Sequence, residues 1–374
     1  NRLYASQKRA TANLLRDQVI VYGDSLELIT KQYNSLLDGK WQGMMSLIHG
    51  GARSFERART DSVTLNSVPT LGVSCEAADN VKGVSNVYTI PCFNKYLPQS
   101  YYVDVFNSGV GKLKWKALPS DSWILVDRKS GVIHSEVRIN VSIDWNKVPT
   151  GESVSGSIDI VSGGGEKKTV FISVFNPESP SIEELKGLYV ENNGYVSIDA
   201  TGFHRKYEDE NVKFDIVKGL GFDNEVVRLG DPFAKTPYLD GLILTSNYVA
   251  PVRGDKYPVL EYDFYSFQTG PVDVYTYMMP IFPLDNEHGS RYGVMVDNSP
   301  VYLPEAGAPY YSTLWIQSVL RNCRINKTTH FINKPGKHTV KIYCAHPGMM
   351  LQKIVVDFGG LQRSYMGPVT TKIK

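Results

Sequence analysis

Val137-Arg138-Ile139-Asn140-Val141-Ser142-Ile143-Asp144 places apolar residues at every odd position and polar or charged ones between them. Successive side chains of an extended chain point to opposite faces. The run therefore predicts a strand with one face in a core and the other in water. Val170-Phe171-Ile172-Ser173-Val174 carries the same period of two. Gly109-Val110-Gly111, Pro149-Thr150-Gly151 and Gly163-Gly164-Gly165 supply turn signals between such runs. Strand-like runs about ten residues apart, separated by turns, fit a small antiparallel sandwich.

Outward from that sandwich the pattern changes. Toward the N-terminus, Leu3, Ala10, Leu14, Ile20, Val21, Leu28, Ile29 and Leu36 recur at helical spacing on one broad stripe. This predicts either one long helix or two helices broken near Gly23, where Asp24 and Glu27 would cap the second and Gly39 would close it. A helix with so wide an apolar face must bury it against something, and no later segment has a helical pattern of comparable length. Residues 1–65 are therefore read as the end of a helical bundle, its stripe packed on another copy or on the adjacent sandwich. Residues 66–178 are the small sandwich. Asn176-Pro177-Glu178-Ser179-Pro180 reads as a linker. From 179 to 374, strand-like runs such as Tyr195–Ala200, Val259–Tyr265, Val272–Tyr277 and Leu351–Phe358 predict a larger β-sandwich of jelly-roll type, with a helical or irregular piece only at Trp315–Leu320. The fold class is thus mainly β with an N-terminal helical segment.

The composition is that of an ordinary globular chain, 42% hydrophobic and 21% charged over 374 residues, with a net charge of +2. So even a balance points to neither nucleic acid nor an anionic membrane as partner. No apolar run reaches the ~18 residues of a membrane helix. Cys75, Cys92, Cys323 and Cys344 form no CxxC pair and are too scattered for a disulfide scaffold. Cys323 and Cys344 are the one pair that neighbouring strands would bring within reach of a bridge, although buried free thiols are common.

The residues single out no catalytic set. The seven histidines form no HxH or HExxH pattern, there is no Gly-x-Ser-x-Gly elbow, and Glu208-Asp209-Glu210 is a run of charges suited to a solvated loop. No cofactor is expected. Aromatic residues are the other lead, because an exposed ring stacks on a sugar while nearby polar groups fix its hydroxyls. Trp315, Tyr310, Tyr311 and Tyr248 are the candidates for carbohydrate contact, with Tyr238 and Tyr302 behind them. They form no compact cluster in the sequence. Tyr262, Phe264, Tyr275 and Tyr277 are assigned to the inner faces of strands.

Several stretches resemble a known family. Gly39-Lys40-Trp41-Gln42-Gly43-Met44-Met45-Ser46-Leu47-Ile48-His49 is similar to the segment that follows the helical bundle in glycoside hydrolase family 115. Gly194-Tyr195-Val196-Ser197-Ile198-Asp199-Ala200, Arg291-Tyr292-Gly293-Val294-Met295-Val296-Asp297 and the ending Gly359-Gly360-Leu361-Gln362-Arg363-Ser364-Tyr365-Met366-Gly367-Pro368 resemble motifs of its C-terminal region, in the family's order. Trp123-Ile124-Leu125-Val126 with Ser130-Gly131 resembles the immunoglobulin-like domains of secreted glycan-degrading enzymes.

The family resemblance implies a xylan α-1,2-glucuronidase whose catalytic carboxylates lie in N-terminal domains outside this chain, so that the chain alone is not an enzyme. It implies a secreted or periplasmic location, a bundle that forms a homodimer, and a terminal sandwich with at most weak xylan contact. The alternative is a stand-alone carbohydrate-binding module. The related acidic motif of carbohydrate-binding modules binds calcium; here only Asp199 remains, with Thr201 in place of the second acid, which leaves Asp199 a weak metal candidate. Tyr365 is expected to pack as an anchor of the tail.

Overall fold

The computed structural model describes residues 8–44, 60–76, 88–210, 212–233, 258–282 and 290–374. The chain forms two compact units, Asn1–Pro177 and Glu178–Lys374.

In the first unit, helix α1 (Arg9–Gly39) runs unbroken through Gly23 and buries none of its residues. Of the two readings the single helix is the one realised, because a mid-helix glycine costs only about 1 kcal/mol relative to alanine, which a long helix tolerates. Helical geometry ends before Gly39: Leu36 is extended at ψ 141°, and Leu37 and Asp38 turn left-handed at φ 54°. Of the two places expected for its apolar stripe, another copy or the adjacent sandwich, the second is not realised, since no residue of the helix is buried. Contacts to the sandwich side are seen at its N-terminal end. The Lys8 ammonium sits 2.5 Å from the Asp104 carboxylate, which also accepts from Arg138 at 2.8 and 3.1 Å. Asn13 exchanges two hydrogen bonds with the backbone of Val63 at 2.7 and 2.8 Å. Further along, Leu14, Ile20, Leu28 and Ile29 are exposed.

The strands of this unit are β1 (Leu71–Cys75), β2 (Tyr88–Thr89), β3 (Phe93–Asn94), β4 (Tyr101–Asn107), β5 (Leu113–Pro119), β6 (Ile124–Val126), β7 (Ser130–Ile133), β8 (Glu136–Ile143), β9 (Gly151–Ser162) and β10 (Lys167–Asn176). One sheet has the order β1-β4-β8-β6, and the other β2-β10-β9-β5-β7 with β3 also on β10. The alternation in β8 is realised as read, with Ile139, Val141 and Ile143 buried and Arg138 and Asn140 exposed. Between the sheets these residues meet Trp115, Trp123, Ile158, Ile160, Val170 and Ile172. Gly165, at φ +87°, closes the β9–β10 hairpin where the three glycines predict a turn.

The second unit comprises the short helix α2 (Ile182–Leu185) and strands β11 (Tyr189–Val190), β12 (Tyr195–Asp199), β13 (Arg205–Tyr207), β14 (Phe214–Lys218), β15 (Glu225–Leu229), β16 (Val259–Ser266), β17 (Gly270–Met278) and β18 (Tyr292–Val296). Helix α3 (Thr313–Arg321) follows, then β19 (Arg324–Ile332), β20 (Gly336–Cys344) and β21 (Met349–Asp357). One sheet runs β11-β16-β20-β18, and β13 also pairs with β16. The other runs β14-β15-β21-β17-β19, and β12 also pairs with β21. Tyr262, Phe264, Val274, Tyr292, Val340, Ile342 and Leu351 fill the space between them.

β21 departs from strict alternation. Leu351 pairs with Met278 and Lys353 with Tyr277, so Gln352 has no partner in either neighbouring strand. This β-bulge shifts the parity of the strand. Leu351 and Ile354, three residues apart, both face the core, whereas Val355 points outward beside Tyr277. Tyr275 and Tyr277 thus lie on the outer side of the sheet, contrary to their assignment to the inner face; on β17 it is Val272, Val274 and Met278 that enter the main core.

The Cys323–Cys344 pairing left open by the sequence is not formed, and one further expectation, the Tyr365 anchor, is corrected. Cys323 lies in the outer cluster with Tyr277, and Cys344 lies in the main core at the end of β20 in the opposite sheet. Both thiols are free, and burial pushes each up to about 12. Tyr365 is no buried anchor. It is 57% exposed and meets only the edge of the domain, its ring centroid 5.8 Å from that of Phe222. The tail is fixed instead by backbone: Gly359 adopts φ +105°, and a Cβ on Gly360 would lie 1.8 Å from the Asn193 carbonyl oxygen. Beyond it, Val190 and Gly187 share backbone hydrogen bonds with Thr371 and Ile373 at 3.0 Å.

One edge of the interior is polar. Asn326 donates to the Tyr292 hydroxyl and to the Glu305 carbonyl, each at 2.9 Å. His330 is held between the hydroxyls of Thr328 (2.9 Å) and Ser299 (3.0 Å), and burial lowers its pKa to about 4. On the outer side of β16, Asp263 accepts from both Arg205 terminal nitrogens at 2.6 Å and from Thr339 at 2.8 Å. Burial pushes this carboxyl up, but the bonds from Arg205, Thr339 and Lys337 outweigh it and hold it well below the ordinary range.

The two groups give separate acid responses. The unfolded chain protonates His330 near its ordinary pKa while the folded chain does not. Stability is therefore full above about pH 6.5 and falls, by at most about 3 kcal/mol, as pH drops toward 4. Asp263 contributes stability above the ordinary carboxylate pKa, and that contribution is lost only at still lower pH. Denaturant melts at stepped pH should show the first loss in the wild type and not in His330→Gln. The bulge gives a second expectation. Gln352 accepts from the Phe222 amide at 3.0 Å, so Gln352→Ala strands that donor and should cost about 1–3 kcal/mol in urea unfolding.

Candidate functional site

Helix α3 starts and stops by local chemistry. The Ser312 hydroxyl caps it by accepting from the Trp315 amide at 3.1 Å, and Asn322 ends it in the left-handed conformation at φ 52°. Its anchored side is narrow: Ser318 is its one buried residue, and the Ser318 hydroxyl donates to the Leu314 carbonyl at 2.7 Å. The far side is apolar and open, with Ile316, Val319 and Leu320 exposed. A second link to the sheet is Gln352, the bulge residue, whose amide donates to the Asn322 carbonyl at 3.5 Å.

The cap places three of the four carbohydrate candidates together. Trp315 lies in the first turn of α3, and Tyr310 and Tyr311 lie just before Ser312. Their ring centroids are 4.3 Å apart for Tyr310 and Tyr311, 5.0 Å for Tyr310 and Trp315, and 5.5 Å for Tyr311 and Trp315. The compact cluster that the sequence lacked is therefore present in space. Phe282 joins it, 5.9 Å from Tyr310 and 6.2 Å from Trp315. Sequence reasoning missed Phe282, which lies nearly thirty residues upstream; only tertiary contact brings it here. Tyr310 is 63% exposed, Tyr311 69% and Phe282 55%, so the group is a surface ridge and not part of a core.

The rings are not coplanar. Tyr310 stands at 65° to Tyr311 and at 70° to Trp315. The ridge presents edges and faces in several directions, with two phenol hydroxyls and the indole N–H as polar handles. Tyr311 is left-handed at φ 58°, a conformation that a bulky residue adopts only when its surroundings hold it there. Such a surface suits the apolar face of a ring-shaped ligand whose rim carries hydroxyls.

The remaining candidates lie elsewhere. Tyr248 and Tyr238 fall outside the described residues. Tyr302 stands edge-on to His330 at 5.0 Å, away from the ridge. Asp199 ends β12, and its backbone carbonyl accepts from the Tyr189 hydroxyl at 3.4 Å. Among the described residues no group of three His, Cys, Asp or Glu side chains gathers as a metal site would.

Residues 188–370 match the model of the glycosyl hydrolase family 115 C-terminal domain. No curated protein matches the sequence. Among solved structures, the chain is similar to a family 115 4-O-methyl-α-glucuronidase with specificity for decorated arabinogalactans. That match has 17% identity and a TM-score of 0.30, and it covers 41% of this chain and 17% of that one. A β-(1,4)-mannanase with a family 35 carbohydrate-binding module from Podospora anserina aligns at 13% identity and a TM-score of 0.27, over 44% of this chain and 28% of that one. A family 35 carbohydrate-binding module from Clostridium thermocellum aligns at 11% and 0.25, over 43% and 96%. Scores this low do not define a shared fold. The aligned part spans less than a fifth of the glucuronidase.

A surface ridge can be cut without collapse. Tyr310→Ala should leave the melting temperature nearly unchanged, a loss below about 1 kcal/mol. Tyr262→Ala, in the main core, should cost about 3–5 kcal/mol. Equal losses in thermal melts would mean that the ridge is packed and not displayed.

Proposed function

Since residues 188–370 match the glycosyl hydrolase family 115 C-terminal domain, we propose that this chain is the non-catalytic C-terminal region of a xylan α-1,2-glucuronidase. In this reading it supports glucuronoxylan degradation by holding the enzyme together and by touching the polysaccharide. The family match carries the reading. The catalytic carboxylates belong to other domains of the parent enzyme. The open apolar stripe of α1 supports a role in assembly, against helices of that enzyme or a second copy in a homodimer. Action on a plant polysaccharide fits a secreted or periplasmic protein.

The ridge of Tyr310, Tyr311, Trp315 and Phe282 supports the second part of the reading, contact with neutral xylan backbone. It equally favours the alternative, a carbohydrate-binding module in its own right. Affinity decides between them. One or two stacked sugars gain little after the cost of immobilising the ligand, so an accessory contact should bind with a dissociation constant on the order of a millimolar. Titration calorimetry of the whole chain with plain xylo-oligosaccharides should find such weak binding, and Trp315→Ala should abolish it without changing the melting temperature. A constant near a micromolar would make the chain a binding module first. Weak binding that Trp315→Ala leaves intact would remove the ridge from the account. Release of glucuronic acid from glucuronoxylan by the chain alone would overturn the non-catalytic assignment.

A further inference from the structure

The parity shift in β21 leaves a second feature on the outer side of its sheet. A cavity of about 600 Å³ opens there, walled by Tyr275 and Tyr277 of β17, Arg321 of α3, Asp357 of β21 and the loop that carries Arg363 and Tyr365. Its floor is apolar: Tyr277 packs with Cys323 and Val355, and Tyr275 and Leu361 pack against them. Burial pushes the Tyr277 phenol up to about 12, so it stays a neutral donor.

Several cations of this sandwich are paired with acids, and the two at this cavity are not. Arg205, Arg228 and Lys327 each bind a carboxylate within 3.0 Å. Arg321 and Arg363 have no ion pair or side-chain hydrogen bond to any described residue. The one acid in the wall, Asp357, is occupied by the loop, accepting from the amides of Gly359 at 2.8 Å and Leu361 at 3.0 Å. Both amides bond to one oxygen of Asp357, whose charge remains, so two guanidiniums and one carboxylate leave the wall with a net charge of +1.

A guanidinium fork matches a carboxylate, and an aromatic floor matches the apolar face of a saturated ring. Tyrosine hydroxyls and the side chains of Gln362 and Ser364 offer partners for ring hydroxyls. One ligand class has all three features. We propose that this cavity binds a uronic acid, its carboxylate between Arg321 and Arg363 and its ring against Tyr275 and Tyr365. The assignment deepens the reading above, and rests on it for the polysaccharide concerned: the acidic branch of the glycan goes to this cavity, the neutral backbone to the ridge around Trp315.

Titration of the whole chain with glucuronic acid, glucose, acetate and inorganic phosphate, by calorimetry and saturation-transfer NMR, tests it. Glucuronic acid should bind better than the other three, more weakly as salt is raised. Arg363→Gln, on an exposed loop, should weaken it about tenfold, the effect of removing one charged hydrogen bond. Arg321→Gln should do the same, and Trp315→Ala should leave it unchanged. Glucuronic acid binding that survives both arginine substitutions would overturn the site. Acetate or phosphate binding as tightly as glucuronic acid would reduce it to a plain anion patch and overturn the sugar assignment. Loss of xylo-oligosaccharide binding in Trp315→Ala with glucuronic acid binding intact supports two sites. Failure of only the neutral sugar would sink the ridge and leave the cavity standing.

Discussion

The second unit depends on one unpaired residue in its central strand. Without the bulge at Gln352, the apolar residues on either side of it in β21 would face opposite ways, and either Leu351 or Ile354 would leave the core. The bulge keeps both inside and turns Lys353, Val355 and Asp357 outward. The cost is an amide side chain in the interior, 4% exposed, that must find partners. It finds them at Phe222 and at the end of α3. The same residue that corrects the parity of the core therefore also steadies the helix that carries the aromatic ridge.

That helix joins the two surface features. Its first turn holds Trp315 and its last residue is Arg321, six residues or about 9 Å further along the axis. A ridge of rings at one end and an unengaged guanidinium at the other give a short stretch of surface both an apolar and an anionic preference. The rest of the exterior is different. On β16 and β20, acids and bases neutralise one another in a network centred on Asp263, a surface that has satisfied its own charges.

The sequence made much of this architecture legible, and the physics explains where it stopped. Strands with one wet face announce themselves by alternation, as in β8, and Tyr262 and Phe264 could be placed in the core from such a pattern. Tyr275 and Tyr277 were assigned inward on their aromatic character, against the alternation of their own strand. Alternation about Asp273 puts both on the polar-looking face of β17. What the pattern does not show is that this outer side is itself partly covered, so that Tyr277 is buried there beside Cys323 and Val355. Gly23 left the choice between one helix and two open, because a glycine is equally at home in a break and in a tolerant helix. Tyr365 misled because the tail is secured through Gly360 and the backbone, which leaves the aromatic free. The ridge was half visible: Tyr310, Tyr311 and Trp315 were candidates one by one, but their grouping follows from the cap at Ser312 and from Phe282, a contact between distant segments that no local spacing encodes.

The central claim is that the second unit offers a neutral-sugar surface and an acid-sugar cavity, linked by α3. A crystal structure of the chain soaked with a xylo-oligosaccharide bearing a single glucuronic acid branch tests it most directly. The account predicts xylose rings against Tyr310 and Trp315, and a carboxylate within hydrogen-bond distance of Arg321 or Arg363. Sugar density bound elsewhere on the chain, with both of these places empty, would contradict it.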